Sequence, residues 1–69
     1  MRINYDESAI RWHLQNNVYR LNSNAVDKIV ELCGQFNKGE ISLEDTVGVG
    51  GLVLTLAELL EDLKLNVEE

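Results

Sequence analysis

The sequence contains no proline, one cysteine and one histidine among its 69 residues. A single cysteine excludes a disulfide within the chain, and one cysteine with one histidine are too few ligands for a structural zinc site. The residue types therefore predict neither a bound metal nor a cofactor. Without proline, and with 45% hydrophobic residues, the composition is typical of packed helices.

Long hydrophobic runs are also missing. No apolar stretch is long enough to span a bilayer, and no basic start precedes an apolar segment as it does in a secretory signal. These absences predict a cytoplasmic protein that does not contact a membrane. A domain of this length buries only about 60% of the surface that its unfolded chain exposes, so marginal stability is expected. Since disulfides and metals are excluded, we expect self-association or docking on a larger protein to complete the fold.

Basic residues are scarce in the second half of the chain. Residues 1–39 carry four acids and five bases, a balance of +1, whereas residues 40–69 carry eight acids and one base, Lys64, a balance of −7. An acidic half of this kind repels free nucleic acid and attracts a basic protein surface. We therefore expect a protein partner, with a basic surface as one option, and neither direct nucleic-acid binding nor a small-molecule substrate.

Helical periodicity predicts an all-α fold, in which residues 1–69 form one small domain of three helices at about residues 5–21, 24–38 and 42–65. In the first segment apolar residues recur at spacings of four, four and three, which places them on one face. These residues are Ile10, Leu14, Val18 and Leu21. The second segment has a broad apolar side, and Gly39 after it suits the left-handed residue that follows many helices.

The third predicted helix begins at residues 42–45, where a capping hydroxyl precedes two carboxylates. Its later part carries leucines at spacings of four, three and four, a two-heptad seam that we expect to mediate bundle packing or self-association. The seam consists of Leu52, Leu56, Leu59 and Leu63. Glycines at residues 48–51 lie between the cap and the seam. We predict that the helix continues through them, with a kink or a break as the alternative.

Three aromatic residues are spaced seven apart. On a helix, Tyr5, Trp12 and Tyr19 lie about 150–180° away from the apolar face of the first segment. With Arg20 at the margin, they predict a partner-binding or self-association face, since Tyr, Trp and Arg dominate many interfaces. The alternative is that the bundle encloses the first helix and buries both faces.

The sequence predicts no catalytic or metal-binding residue. A hydrolytic triad would need His13 as its base, but no acid follows it at i+3 or i+4. The glycines of residues 48–51 lack the Lys-Ser or Lys-Thr of a phosphate-binding loop. Cys33 lies among apolar residues and is expected to be a buried, unreactive hydrophobe. The acids of residues 58–62 have no histidine nearby, and an exposed helix face explains them better than a metal site.

Two short segments resemble parts of known families. Residues 29–32 followed by residues 39–45, about a sixth of the chain, are similar to the small helical subunit of exonuclease VII, which implies an accessory subunit of a nuclease. Residues 42–47 resemble the phosphopantetheine attachment site of acyl carrier proteins, although Ile41 stands where that family has an aspartate. Neither family is assigned, because the glycine run interrupts the continuous helix of the first and too little chain follows for the later helices of the second.

These observations predict a small acidic, non-enzymatic interaction or regulatory protein, of the kind found among phage and mobile-element accessory products. A homo-oligomer is expected. One alternative is a small helical subunit of a larger enzyme complex, such as a nuclease. The other is a nucleic-acid-binding regulator built on the polar tract of residues 15–24, although a helix-turn-helix would then turn Asp27 and Glu31 toward phosphates.

Overall fold

Strands as well as helices build the chain, so the all-α prediction is wrong. The computed structural model describes residues 2–18 and 21–68. Within them the elements are β1 (Arg2–Ile3), α1 (Glu7–Asn17), α2 (Ser23–Asn37), β2 (Thr46–Val49), β3 (Leu52–Thr55), α3 (Leu56–Asp62) and β4 (Val67–Glu68). Strand β1 pairs with β4 and β2 pairs with β3, which gives two separate antiparallel sheets of two strands.

A β-hairpin replaces the first half of the predicted third helix. Strands β2 and β3 pair along their whole length, and a two-residue turn joins them. The turn residues Gly50 and Gly51 have φ angles of 60° and 85°, as a tight turn between twisted strands requires. A helix through this segment would lose about 1 kcal/mol at each glycine, whereas the valines on both sides favour a strand. The predicted helix across residues 48–51 is therefore wrong.

The residues that start α3 are not those that the sequence pattern indicated. Thr55 and Glu58 form a capping box, in which the N–H of Glu58 donates to Thr55 Oγ1 and the N–H of Thr55 donates to Glu58 Oε1, both at 3.2 Å. Ser42 and Asp45 also bond reciprocally, through Asp45 Oδ2 at 2.7 Å and the Ser42 carbonyl at 3.1 Å. Their bonds close a turn that leads into β2, so residues 42–45 form a turn before a strand and not the start of a helix.

Helix α1 is shorter at both ends than the predicted residues 5–21. It begins after Asp6, whose Oδ1 accepts a backbone hydrogen bond from the first turn at 2.7 Å. It ends at Asn17, and Val18 has an extended backbone. The Asn17 side-chain amide donates to the His13 carbonyl at 3.0 Å, and side chains that compete for backbone carbonyls in this way favour a helix end.

Helix α2 agrees with the predicted residues 24–38 to within one residue at each end. Asn22 caps its start, with Oδ1 accepting a backbone hydrogen bond at 2.8 Å. Gly39 follows its end with a φ of 77°, which confirms the predicted left-handed residue. Asp27 and Glu31 are exposed, and the apolar side of the helix faces the core.

One hydrophobic core joins the helices and the hairpin. Its buried side chains are Ile3, Ile10, Leu14, Val26, Ile29, Leu32, Cys33, Phe36, Val47, Val49, Leu56, Leu59, Leu60, Leu63 and Leu65. Strands β1 and β4 pair beside the end of α2, where the N–H of Ile3 donates to Asn37 Oδ1 at 2.6 Å. The first and last described segments are therefore part of the fold that positions the rest.

Helix α3 ends in a Schellman motif. The N–H of Leu65 donates to the Leu60 carbonyl, and the N–H of Lys64 donates to the Glu61 carbonyl, both at 3.0 Å. Lys64 has a φ of 58°, in the left-handed region that glycine adopts more readily than any residue with a side chain.

We expect Lys64→Gly to raise the free energy of unfolding by about 1 kcal/mol, because it removes the strain of a side chain in the left-handed region. Thermal melting followed by circular dichroism should show a Tm higher by about 4–8 °C. Lys64→Ala removes the same charge but keeps the strain, so it serves as the matched control. A Lys64→Gly variant no more stable than Lys64→Ala would contradict the argument from strain.

Candidate functional site

An apolar groove lies where the hairpin tip, the start of α2 and the end of α3 meet. We call it the hairpin groove, and its volume is about 340 Å³. The described residues that line it are Leu21, Asn22, Ala25, Ile29, Val49, Gly50, Leu52, Leu54, Leu59, Asp62 and Leu63. Asp62 is the one ionisable side chain among these lining residues. The lining therefore offers contact to apolar groups and holds no acid–base pair.

The hairpin directs alternate side chains toward the groove and away from it. Val49 and Leu52 are cross-strand partners, as are Gly48 and Val53, and the members of each pair share one face of the hairpin. Val49 is buried on the groove side, whereas Leu52 beside it is 68% exposed. On the other face Val53 is 76% exposed. Leu52 is therefore a large apolar side chain that lines the groove without being covered by the chain.

One acidic side chain of α3 lines the groove, and two more lie on the same helix. Asp62 lines it, and Glu58 and Glu61 are exposed on the same helix. The ion pairs of the described residues all lie within α1 and α2. They are Arg11–Glu7, Arg11–Asp27 and Lys28–Glu31. The acids of α3 thus have no basic partner within residues 2–18 and 21–68.

Arg11 is the base with the strongest contact in this set. Its Nη1 lies 2.7 Å from Asp27 Oδ1, and the hydrogen bond to Asp27 raises the pKa of Arg11 above its ordinary value. The guanidinium therefore stays charged and joins α1 to α2.

The predicted leucine seam does not lie on one helix, and self-association through it stays a prediction. Leu56, Leu59 and Leu63 are buried in the core, and Leu52 lies on β3. Leu52, Leu59 and Leu63 do come together, but they do so as part of the lining of the hairpin groove.

The predicted aromatic face is not continuous among the described residues. Tyr5 precedes the N-cap of α1 and packs against the core, with its ring 5.6 Å from that of His13. Trp12 is 65% exposed on the side of α1 opposite to its buried residues. Tyr19 and Arg20 lie outside the described residues. The structure therefore separates Tyr5 from Trp12, and partner binding by this set stays a prediction.

His13 connects α1 to the wall of the groove. Its Nε2 lies 2.8 Å from the Leu63 carbonyl oxygen, and because a carbonyl only accepts, Nε2 donates this hydrogen bond. The bond holds the backbone of a groove residue, which is a positioning role. The sequence pattern gave no indication of it, because the two residues are far apart in the chain.

Cys33 is buried, which confirms the prediction of its position. Burial disfavours the charged thiolate and raises the pKa of Cys33 to about 11. Because the thiolate is the reactive form, low reactivity is expected at neutral pH.

We expect a thiol reagent at pH 8 to label the native protein at least about 100-fold more slowly than the denatured protein, because the folded pKa lies about two units above the ordinary value of 9.0. If the reagent is a disulfide that releases a coloured thiolate on reaction, its absorbance over time measures both labelling rates. The rate of the denatured protein should equal that of a small free thiol of ordinary pKa, which is the control. Equal rates for native and denatured protein would disprove the assignment of Cys33 to the core.

Two further features are absent from the described part of the chain. No helix in it is long and apolar enough to cross a membrane. Residues 2–18 and 21–68 also contain no group of three or more His, Cys, Asp or Glu side chains that could hold a metal ion.

Two sequence signals point to the hairpin groove. Gly-Gly at residues 50–51, between runs rich in valine and leucine, is typical of a hairpin turn. Thr-x-x-Glu at residues 55–58 is typical of a helix start. Together they place a hairpin directly before a short helix, which is the arrangement that forms two sides of the groove.

The chain matches no protein-family model, and no curated protein and no solved structure proves similar to it. Any assignment of function therefore depends on the surfaces described above.

Proposed function

We propose that this protein is a small acidic, non-catalytic interaction protein that binds another protein through the hairpin groove. The observation that carries the proposal is the 68% exposure of Leu52 on the groove side of the hairpin. Full burial of a leucine side chain contributes about 1.5–3 kcal/mol of favourable free energy. Because Leu52 is largely exposed, most of this contribution is not realised in the folded chain. An apolar side chain of a partner in the groove would bury Leu52.

The size and lining of the groove support such a contact. Its volume of about 340 Å³ lies at the lower end of the roughly 300–1,000 Å³ typical of ligand pockets. A few apolar anchors that enter a formed pocket supply much of the energy of many protein interfaces. The groove fits this kind of anchor better than it fits a folded domain.

Affinity capture from native lysate with two matched variants tests the proposal. Leu52→Asp and Val53→Asp add the same charge at neighbouring exposed positions of β3, but only Leu52 lines the groove. We expect wild type and Val53→Asp to retain the same specific protein, and Leu52→Asp to lose it. If wild type and both variants all retain that protein, or if none of them retains it, binding through the groove is contradicted. The identity of the retained protein distinguishes a regulator from an accessory subunit of an enzyme.

Self-association through the outer face of α1 is a second proposal, and the exposure of Trp12 supports it. This helix lies in the half of the chain whose net charge is +1, so charge repulsion does not oppose pairing there. Sedimentation equilibrium should show an oligomer at micromolar concentration, and Trp12→Ala should shift it toward the monomer. Monomeric wild type across this range would refute self-association without affecting the proposal for the groove.

A further inference from the structure

We infer that the occupant of the hairpin groove is a basic amphipathic segment of a partner protein, in which bulky aliphatic side chains are flanked by lysine or arginine. The inference rests on the proposed function, because it names the chemistry of the partner at the same site. Three observations lead to it: the apolar lining, the acids of α3, and the distribution of charge between the two halves of the chain.

The acids at the end of α3 are unfavourable for the folded chain itself. Glu61 and Asp62 lie in the last turn, where the negative end of the helix dipole disfavours carboxylates. Helix α3 is described over its full length, and it has no basic residue in that turn. Glu58 and Asp62 are four residues apart, which makes them a like-charge pair on one side of the helix. Glu58 also forms the capping box that starts α3, and Lys64 follows its end, so the acids without a local stabilising role are Glu61 and Asp62.

A cationic partner would relieve this repulsion at the border of the groove. Asp62 lines the groove together with Leu52 and Leu59. A lysine or arginine next to an aliphatic anchor can therefore approach the Asp62 carboxylate while the anchor contacts the leucines. Complementary charge of this kind speeds association and selects among partners with similar apolar residues.

A second copy of this chain fits the groove less well. Residues 40–69 have a net charge of −7, and two copies that met at the groove would bring these acids together. Nucleic acid is disfavoured for the same reason. An uncharged apolar ligand would satisfy the lining but would give the acids of α3 no basic partner beyond what residues 2–18 and 21–68 provide, which is none.

Two synthetic peptides test the inference. The first has leucines at helical positions i, i+3, i+4 and i+7 with lysines elsewhere, and the second has glutamate in place of every lysine. Titration of the ¹⁵N-labelled protein measures both the affinity and the residues that are contacted. We expect the Leu/Lys peptide to shift the amide signals of Ala25, Ile29 and Leu59, and to bind at least about tenfold more tightly than the Leu/Glu peptide. Its affinity should fall as sodium chloride is added.

Matched variants locate the contacts. Leu52→Ala should weaken binding of the Leu/Lys peptide about tenfold or more, whereas the same truncation at Val53 should leave it unchanged. Replacing Glu61 by glutamine and Asp62 by asparagine together should also weaken binding about tenfold and reduce its dependence on salt. These two substitutions remove acids from the end of α3, so a Tm equal to or above that of wild type is expected and shows that the variant is folded.

The outcomes separate the inference from the proposed function. If both peptides bind equally and Leu52→Ala weakens both, the groove is a protein-binding site but the inference of a basic partner is overturned. Binding of the Leu/Lys peptide that survives Leu52→Ala indicates diffuse charge attraction and overturns the inference as well. If sedimentation shows that the wild type is a dimer and that Leu52→Ala dissociates it, the occupant of the groove is a second copy of the chain. This result also overturns the inference. If neither peptide shifts a groove residue, the inference fails while capture from lysate still tests the proposed function.

Discussion

Leu14→Ala is expected to lower the free energy of unfolding by about 2–5 kcal/mol, the usual range for truncation of a leucine in a packed core. Leu14 is fully buried on the face of α1 that contacts the rest of the domain. A chain of this length has a total stability of roughly 3–10 kcal/mol, so the variant should be largely unfolded if the wild type lies at the low end of that range. Urea denaturation followed by circular dichroism measures the loss.

Trp12→Ala is the matched control, two residues away on the opposite side of α1. Because Trp12 is 65% exposed, its truncation should change the free energy of unfolding of the monomer by no more than about 0.5 kcal/mol. A loss as large as that of Leu14→Ala would mean that Trp12 is covered in solution. A Tm that rises with protein concentration would then identify self-association as the cause.

Simultaneous replacement of Gly50 and Gly51 by alanine is expected to cost about 1–2 kcal/mol at each position. Both residues have left-handed φ angles, at which a Cβ atom approaches the following carbonyl oxygen. The loss should appear as a lower urea midpoint. Loss of the hairpin should also remove the cross-strand contacts between the amide protons of β2 and β3 in NMR spectra.

Gly48→Ala is the control within the same segment. Gly48 lies in β2, and the nearest heavy atom to a Cβ added there is the Leu52 carbonyl oxygen at 3.8 Å, an ordinary contact. The substitution should stabilise the protein by roughly 0.5–1 kcal/mol, since alanine is preferred to glycine within a strand. If the segment were a continuous helix, replacement by alanine would instead raise the free energy of unfolding by about 1 kcal/mol at each of the three glycines. Stabilisation by the double substitution would therefore contradict the hairpin.

The position of α2 could be predicted because its signals are local. Asn22 caps its start, Gly39 ends it, and the apolar positions between them repeat with the helical period. Cys33 lies on the apolar side that this period defines, and it is buried. Each of these signals depends only on residues within the helix or next to it.

The hairpin and α3 depend on contacts that a local pattern does not contain. The spacing of four between Leu52 and Leu56 fits one turn of a helix, but it equally fits the length of β3 followed by a helix start. The N–H of Leu56 donates to the Asp45 carbonyl at 2.9 Å, a bond that joins the two ends of the hairpin. Its formation requires the turn at residues 50–51, so periodicity within a single window could not predict where α3 begins.

The sequence indicates the net charge of the region that contains the candidate site, but it does not indicate where the site lies. The acid count of residues 40–69 indicates a negative charge there, with a basic protein surface as one option for the partner, but the lining of the groove comes from segments as far apart as Leu21 and Leu63. The spacing of seven misplaced Tyr5 for a local reason. Asp6 caps α1, so Tyr5 lies before the helix and the spacing of seven to Trp12 does not place the two on one face.

The two walls of the hairpin groove are held to different degrees. The α3 wall is fixed at Leu63 by the hydrogen bond from His13, and the Schellman motif fixes the residues that follow. The other wall is a ribbon of two strands, and among the described residues none of the buried core side chains comes from β3. The ribbon is held to the core through Val47 and Val49 of β2, while β3 contributes only the partly buried Leu54. If a partner binds the groove as proposed, its apolar anchor meets Leu52 on the strand that contributes no buried side chain, so contact there leaves the packing of the core in place.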